Sequence, residues 1–309
     1  MRRVLVTGAA GLLGQYLVNF LRSVEAVHKD ISILAVDKAN NPFESSFELD
    51  YLQADLILFD SIKSNIDNFK PDFIFNCAAY TDVDGCEKNK QLADALNVRL
   101  VKNLLEIHSF KKIIHFSTDY VFNGLNGPYS EEDDTDPVGY YGLTKLQSER
   151  LLQNSRRYFL IIRTNVLYGT GKNVRPNFIT WMIDNLRKNK NLQIITDQFN
   201  NPTYAGNLAQ AAIEAAQTDY TGVLHIAGAD YLSRYQIALK TAVHFNLNSE
   251  LIEPIRTQKL GQEARRPLFG GLKIDKAKNL LKTRLIAVSY THLRAHETSL
   301  HLVCRLLLE

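Results

Sequence analysis

The chain has few cysteines, and their placement excludes a disulfide scaffold. There are three in 309 residues, Cys77, Cys86 and Cys304, with no metal-ligand spacing between them. Three such thiols build no disulfide framework and no zinc site, so we expect reduced cysteines, a cytoplasmic protein and no bound metal.

Long basic runs and long apolar runs are also missing. The net charge is only +3, and no run of five or more lysines and arginines occurs, which argues against nucleic acid as a partner. The first residues pass directly into a strand pattern with no long apolar segment or small-residue cleavage site. We therefore expect neither a signal peptide nor a membrane span.

Apolar runs and helical periodicity alternate along the first half of the chain. Strands are predicted at 3–7, 31–37, 73–78, 112–118 and 159–164, and helices at 12–23, 92–108 and 141–155. Continuous apolar strands separated by helices are typical of a parallel sheet covered on both faces. Because such crossovers are right-handed, the sequence predicts an α/β Rossmann fold with a doubly wound parallel sheet.

The second half is more mixed and predicts a smaller C-terminal substrate-binding subdomain. Its predicted helices are 175–189, 205–217 and 234–246, and its predicted strands are 192–196 and 223–227. We divide the chain into a Rossmann domain over 1–168 and a subdomain over 169–287 with segments that return to the sheet.

The last 22 residues, 288–309, read VSYTHLRAHETSLHLVCRLLLE. They resemble a conceptual translation of a sequencing-library adapter, so we predict a non-native tail without function. A natural amphipathic tail is the alternative.

Three glycines, Gly8, Gly11 and Gly14, follow the first predicted strand and open the first predicted helix. Glycines in this context permit a tight turn, close approach of backbone to a pyrophosphate and close packing of helix on strand. The free N–H groups of the helix N-terminus then face the phosphates. The pattern predicts a dinucleotide site, with a ligand-free tight turn as the alternative.

Asp37 ends the second predicted strand, 23 residues after Gly14. A carboxylate there can bind the adenosine ribose hydroxyls and repel a 2′-phosphate. We therefore expect NAD or NADP as cofactor, with NADH slightly favoured. Lys38 is adjacent and could offset part of the repulsion, so the preference stays open.

Tyr141 and Lys145 lie four residues apart on one predicted helix, hence on one face. An ammonium beside a phenol favours its ionised form, and we expect it to lower the pKa of Tyr141. Such a pair is a means of donating a proton near neutral pH. Together with the glycine turn, it predicts hydride transfer to a carbonyl.

The glycine spacing and the Tyr141–Lys145 pair resemble the extended short-chain dehydrogenase/reductases. Four further blocks are similar to the dTDP-4-dehydrorhamnose reductase family of sugar-nucleotide-binding proteins: NCAAYTDVD at 76–84, STDYVF at 117–122, RTNVLYG at 163–169 and DQFNNPT at 197–203. The resemblance covers residues 2 to about 285.

The resemblance implies roles for particular residues. Thr118 would bind the substrate carbonyl, Tyr141 would donate the proton, and Lys145 would bind the nicotinamide ribose. The implied cofactor-binding residues are Gly8, Ala10, Gly11, Leu12, Leu13, Gly14, Asp37, Asp55, Leu56, Ala78, Ala79, Tyr80, Tyr141 and Lys145. The implied substrate-binding residues are Tyr120, Asn165, Gln198, Asn201 and Arg266.

Asn97 matches a helix asparagine that the family has near its active site, and a bond to backbone is the alternative role. Where the rhamnose-forming reductases commonly carry a tryptophan, this chain has Val166 after Asn165. The sugar therefore stays open.

The resemblance implies an NAD(P)-dependent reductase that acts on a nucleoside-diphosphate 4-keto sugar, by default dTDP-4-dehydrorhamnose. Whether the protein forms a homodimer stays open. A sugar-nucleotide dehydratase or epimerase is one alternative. Dehydratases resemble Thr-Asp-Glu at this point, whereas Thr118 and Asp119 are followed here by Tyr120. A non-catalytic nucleotide-binding subunit, like the regulatory subunit of methionine adenosyltransferase, is another.

Overall fold

The structure is a computed structural model, and it describes residues 3–28, 31–44 and 49–288. The strands in these ranges are β1 (Arg3–Thr7), β2 (Ser32–Asp37), β3 (Leu49–Gln53), β4 (Phe73–Asn76), β5 (Lys112–Thr118), β6 (Phe159–Thr164), β7 (Leu167–Tyr168), β8 (Leu192–Ile195), β9 (Phe199–Asn200), β10 (Thr203–Tyr204), β11 (Gly222–His225), β12 (Leu232–Ser233) and β13 (Ile252–Ile255).

The helices alternate with these strands. They are α1 (Leu12–His28), α2 (Asp60–Phe69), α3 (Val83–Lys88), α4 (Lys90–Asp94), α5 (Leu100–Leu105), α6 (Tyr140–Gln153), α7 (Phe178–Arg187), α8 (Ala205–Gln217), α9 (Arg234–His244) and α10 (Asp275–Leu280). Within the described ranges, no helix is both long and apolar enough to cross a membrane.

The main sheet is parallel, with the strand order β11-β6-β5-β4-β1-β2-β3. Strand β1 is paired on both sides, since Val6 aligns with Ala35 of β2 and with Phe75 of β4. The chain order reverses between β1 and β4, and ligands of open α/β sheets bind at the carboxyl ends of the strands at such a point. The predicted Rossmann fold is confirmed.

Apolar side chains cover both faces of this sheet. One cluster joins β1 to α1 and α8 through residues such as Val6, Leu17 and Leu208. The other joins the sheet to α2 and α5, with Ile66 and Leu104 fully buried. The sheet is thus held between two helical layers, and its polar strand ends are left for a site.

The second half forms three two-stranded pairs, β7 with β10, β9 with β12 and β8 with β13, over a third apolar cluster. Strand β11 returns to the main sheet beside β6, as the sequence predicts. Val288, the first residue of the predicted tail, is fully buried in the third cluster, and its N–H donates to Asp230 Oδ2 at 3.2 Å. Packing therefore extends one residue past the predicted end of the subdomain, and residues 289–309 lie outside the described ranges.

The predicted helix at 92–108 is interrupted. It consists of α4, a π-helical segment (Ala95–Arg99) and α5. Asn97 lies in the π-helical segment, fully buried, with its amide bonded to the loop before α3 and to α6. Short π-helical segments are commonly found at functional sites, where they redirect a side chain.

Strand β3 and helix α2 have no counterpart among the predicted elements. In β3 only Leu49 is buried, because this edge strand exposes Asp50 and Gln53 to solvent. An edge strand without a continuous apolar run leaves no clear sequence signal.

A buried ion pair fixes α6 to the sheet. Arg163 on β6 donates from Nη2 to Glu149 Oε2 at 2.7 Å and from Nε to Glu149 Oε1 at 3.0 Å. Both side chains are buried, and Ser117 donates to Glu149 Oε1 at 2.5 Å. Because the carboxylate accepts bonds from both β5 and β6, the position of α6 is set by these strands.

We expect Glu149→Gln to lower the free energy of unfolding by about 3–5 kcal/mol, because it leaves the Arg163 guanidinium buried without its counter-charge. Denaturant unfolding measures the change. The control is Asp67→Asn, which breaks an exposed i,i+4 pair with Lys63 and should alter stability little. Equal losses in the two variants would show that the buried pair has no special role.

Candidate active site

The predicted glycine turn connects β1 to α1 with almost no free volume around its backbone. Gly8 has φ +68°, and a Cβ there would lie 2.6 Å from the Ala78 nitrogen. A Cβ on Gly14 would lie 2.3 Å from the Gly8 carbonyl oxygen. These glycines therefore bring bare backbone to the carboxyl ends of β1 and β4, which fits a dinucleotide pyrophosphate.

The other residues of the turn differ in exposure. Ala10 and Leu12 are half-buried and Gly11 is exposed. Leu13, the second residue of α1, is buried in the core. Leu13 can therefore contact a ligand only through its backbone.

Asp37 is held against the glycine turn at the end of β2. Its Oδ2 accepts from the Ala10 N–H and its Oδ1 accepts from the Ala39 N–H, each at 3.0 Å. Its charge, after burial, helps to raise the pKa of Tyr51 to about 12. The carboxylate thus has a fixed position beside the turn, as a ribose-binding residue requires.

Two further predicted cofactor residues follow β3. Asp55 is exposed and caps the following turn by accepting from the Ile57 N–H at 2.9 Å, while Leu56 packs in the core. Neither residue has a hydrogen bond to the glycine turn among the described residues.

The loop of Ala78, Ala79 and Tyr80, predicted to bind the cofactor, is bonded to α6 through Asn97. The Tyr80 N–H donates to Asn97 Oδ1 at 2.8 Å, and Asn97 Nδ2 donates to Tyr80 O at 3.2 Å and to Thr144 Oγ1 at 2.9 Å. Asn97 therefore bonds to backbone and to a helix side chain, the alternative role that the sequence left open. It fixes the loop one residue away from Lys145.

Thr118 and Tyr141 meet where β5 ends and α6 begins. The Thr118 hydroxyl is near enough to the Tyr141 phenol to lower the pKa of that phenol. The same hydroxyl donates to Asp119 Oδ1 at 3.2 Å and accepts from the Tyr120 N–H at 3.2 Å. The structure brings these two predicted catalytic residues together.

Lys145 lies one turn further along α6 and is 1% exposed. Its Nζ is 3.1 Å from His115 Nε2 on β5. Burial lowers the pKa of Lys145 to about 8, against the opposing charge of Glu149. An amine that titrates there can exchange a proton near neutral pH.

The pKa of Tyr141 differs from the sequence-based expectation. Burial of the phenol raises its pKa above the ordinary value, and the Thr118 hydroxyl offsets only part of this. The Lys145 amine does not reverse this shift, and its contact is with His115. Tyr141 consequently stays protonated, and so able to donate a proton, throughout the neutral range.

Asp119 is a buried carboxylate whose oxygens are already bonded. Besides Thr118, it accepts from Asn165 Nδ2 at 3.1 Å and from the Gly271 N–H at 3.2 Å. Burial is the main cause that raises its pKa. Asp119 thereby joins three chain segments that surround Thr118.

A cavity of about 840 Å³ is lined by residues of the second half of the chain, with Tyr120 as its one lining residue from the described part of the Rossmann half. This is the size of a pocket for a ligand larger than a monosaccharide. The ring of Tyr120 is both part of its lining and 5.7 Å, edge to face, from the ring of Tyr141. The other lining residues are Phe178, Trp181, Asn191, Leu192, Gln193, Ile194, Ile195, Gln198, Arg234, Glu253, Leu260, Gln262 and Arg266.

Of the predicted substrate residues, Tyr120, Gln198 and Arg266 line this cavity. Asn201 does not, because its amide donates to Gly228 O at 3.0 Å and accepts from the Leu272 N–H at 2.8 Å. Asn165 donates from Nδ2 to Asp119 Oδ2, and its Oδ1 has no hydrogen-bond partner among the described residues.

The two arginines of the cavity differ in their partners. Arg266 forms a bidentate pair with Asp84, at 3.1 and 2.8 Å, and also donates to Ala264 O at 2.8 Å. Arg234 has no ion-pair partner in the described ranges; its guanidinium lies 5.0 Å from the centre of the Phe178 ring. Burial lowers the pKa of Arg234, with partial compensation by Tyr120 and Asp119.

Sequence reasoning missed Arg234, Phe178 and Trp181. Arg234 is the first residue of α9 and lies between Ser233 and Gln236, which form the capping box. The Ser-x-x-Gln signature was visible in the sequence, and a cation at a helix N-terminus opposes the helix dipole. That unfavourable placement was the available signal for a functional arginine.

The fold and these contacts agree with comparisons to known proteins. The family described as RmlD substrate binding domain matches residues 1–293. This defines the class, NAD(P)-dependent oxidoreductases of the dTDP-4-dehydrorhamnose reductase type. The chain belongs to the RmlD substrate-binding family.

Two relatives illustrate the range of the family. A dTDP-4-dehydrorhamnose reductase of Aggregatibacter actinomycetemcomitans is 35% identical, with 89% of this chain and 92% of the relative covered. Methionine adenosyltransferase 2 subunit beta of Danio rerio is 30% identical, with 86% and 81% covered.

Solved structures give the same assignment. A hypothetical dTDP-4-dehydrorhamnose reductase from Sulfolobus tokodaii has a TM-score of 0.80 at 31% identity, covering 94% of this chain and 99% of its own. A dTDP-4-dehydrorhamnose reductase from Bacillus anthracis in complex with NADP has a TM-score of 0.81 at 25% identity, covering 95% and 98%.

Proposed function

We propose that this protein reduces the keto group of a nucleoside-diphosphate 4-keto sugar with NADH or NADPH, with dTDP-4-dehydrorhamnose as the default substrate. One observation carries the proposal: the Tyr141 ring packs edge to face, 5.7 Å away, on the ring of Tyr120, which lines the large cavity, and the Thr118 hydroxyl is near enough to the phenol to lower its pKa. A proton donor is therefore adjacent to a cavity large enough for a sugar nucleotide.

The residues of the chain divide the work as follows. Tyr141 donates a proton to the oxygen of the substrate carbonyl, and its raised pKa keeps it loaded at neutral pH. Thr118 lies beside that phenol, and its hydroxyl hydrogen, which bonds Asp119 in the unliganded site, would turn to the developing oxyanion. The Lys145 amine, one turn further along α6, gives the site a positive charge in its protonated form.

The glycine turn, Asp37 and the loop Ala78–Tyr80 would hold the dinucleotide, which supplies the hydride when bound. Bare backbone at Gly8 and Gly14 supports the pyrophosphate end. The relative from Bacillus anthracis was solved with NADP. A nicotinamide dinucleotide is the cofactor that these residues fit.

A dehydratase is the less favoured alternative. Elimination needs a carboxylic acid that can deliver a proton at this point, but Asp119 already accepts from Thr118, Asn165 and Gly271. The following residue is Tyr120, so a second carboxylate is missing there. These contacts favour a positioning role for Asp119.

The relative methionine adenosyltransferase 2 subunit beta supports a second candidate, a nucleotide-binding subunit. The presence of Thr118, Tyr141 and Lys145 together, with Tyr141 beside Tyr120 of the cavity, favours turnover over binding alone. An assay for oxidation of NADH or NADPH with the 4-keto sugar separates the two, whereas a cofactor-binding assay does not.

We expect Tyr141→Phe to lower turnover at least about 100-fold, the scale of lost general acid catalysis, with cofactor affinity unchanged. The matched control is Tyr140→Phe, because the neighbouring hydroxyl bonds Asp94, at 2.9 and 3.0 Å, away from the cavity. Near-normal turnover in Tyr141→Phe would remove this phenol from the mechanism.

We propose that NADH binds at least as well as NADPH. Asp37 is held by two backbone N–H groups and cannot easily move away from a 2′-phosphate, whereas Lys38 is exposed. Dissociation constants of both cofactors at low salt, before and after Asp37→Asn, measure this. A clear preference for NADPH that survives Lys38→Ala would contradict the argument.

We propose that Arg234 binds the diphosphate of the substrate, since Arg266 is occupied by Asp84. Arg234→Met should raise KM for the sugar nucleotide by about 10- to 100-fold, the scale of a charge-assisted hydrogen bond, with a smaller effect on kcat. Arg256→Met, at an exposed arginine, is the control. A larger KM effect from Arg266→Met than from Arg234→Met, with both variants folded, would reverse the assignment.

A further inference from the structure

A buried chain of polar side chains crosses the sheet and ends at the Lys145 amine. It runs from Thr7 on β1 through Asn76 on β4 and His115 on β5 to Ser148 and Lys145 on α6. All five residues are at most 1% exposed. The mechanism proposed above uses only the last of them.

The hydrogen bonds at one end of this chain determine the role of the His115 Nδ1 atom. Thr7 Oγ1 donates to Asn76 Oδ1 at 2.7 Å, so the Asn76 carbonyl oxygen faces Thr7. The Asn76 amide nitrogen then faces His115 Nδ1 at 3.0 Å. Since an amide nitrogen only donates, Nδ1 must accept and carries no hydrogen.

The other end leads to the same tautomer independently. The Ser148 hydroxyl donates its hydrogen to the Lys145 carbonyl oxygen at 2.6 Å. It also lies 3.0 Å from His115 Nε2, where it can only accept. His115 Nε2 therefore carries the hydrogen, and burial beside Lys145 keeps the ring neutral by lowering its pKa well below the usual value.

In this tautomer Nε2, 3.1 Å from the Lys145 Nζ, has no lone pair, and its one hydrogen is shared between the Ser148 hydroxyl and the amine. A neutral amine can accept from that N–H, whereas an ammonium has no lone pair with which to do so. The other groups that act on Lys145 are Glu149 on its own helix and Cys77 after β4, and both favour the ammonium. Burial acts in the opposite direction.

We infer that His115 is a positioning residue for Lys145: its imidazole, fixed with the hydrogen on Nε2, holds the amine and favours its neutral form over the ammonium. The bond network from Thr7 to Ser148 selects this tautomer. The proton affinity of Lys145 thus depends partly on Thr7 of β1, which is separated from His115 of β5 by strand β4.

The tautomer can be tested on the protein alone, without cofactor or substrate. In a sample labelled with ¹⁵N-histidine, the His115 resonances should show a bare Nδ1 and a protonated Nε2 across the neutral range. A protonated Nδ1 would overturn the inference, because Nε2 would then accept from the ammonium and stabilise it.

The effect on Lys145 can be measured by following its side-chain ¹³Cε and ¹⁵Nζ signals through a pH titration, with the resonance assigned by Lys145→Arg. In His115→Asn, which retains a group at the Nδ1 position but none at Nε2, the proton affinity of Lys145 should rise by about two- to tenfold, the scale of one hydrogen bond. His115→Gln, which can retain an N–H at the Nε2 position, should change it less. An unchanged or lowered affinity in His115→Asn would refute the inference.

A second variant serves if His115 variants do not fold. Thr7→Val is close to isosteric and removes the donor that orients the Asn76 amide. Asn76 can then turn over, so Nδ1–H should become populated and the proton affinity of Lys145 should rise. If Thr7→Val leaves both the tautomer and the titration unchanged, the network does not select the tautomer.

These measurements on the unliganded protein do not depend on the proposed reaction. The consequence for turnover does rest on it: His115→Asn should move the alkaline limb of the kcat/KM profile to higher pH, whereas a merely structural defect would lower kcat equally at all pH values. A shifted titration with an unshifted limb would keep the inference on Lys145 and count against its proposed part in catalysis.

Discussion

The ion pair between Glu149 and Arg163 is the interaction on which the rest of the site depends. Helix α6 carries Tyr141 and Lys145, and its inward face is fixed by a carboxylate that accepts from β5 and β6 together. Two buried charges are costly to place in a core unless both are fully bonded. Here the bonds fix the helix against the strand that ends in Thr118, so the relative position of Thr118, Tyr141 and Lys145 follows from a structural pair.

Most polar groups near the cavity are likewise committed to the fold. Asn201 and Arg266 bond to backbone and to a carboxylate, and Asp119 links three segments. What remains for a ligand is a short set of groups in the cavity, of which Arg234 is the least compensated. A site of this kind can be rigid because few of its polar side chains need to be reordered when a ligand binds.

The sequence allowed the sheet, the glycine turn and the Tyr141–Lys145 helix to be predicted, because each depends on local spacing. Continuous apolar runs give buried parallel strands, and glycine positions depend on backbone clearance within a few residues. The partners of Asn201 and Arg266 were not predictable, since Leu272 and Asp84 are distant in sequence. The pKa of Tyr141 was misjudged for the same reason: proximity along a helix does not reveal that the amine turns to His115 on a strand.

Asn97 has a consequence for how ligands in different parts of the site affect one another. One amide holds both the loop at Tyr80 and the residue before Lys145. A molecule bound against the loop and one bound against α6 are therefore linked through this amide, because a shift of either segment strains its bonds to the other. Such coupling is reciprocal, so each of the two would change the affinity for the other by the same factor, without any direct contact between them.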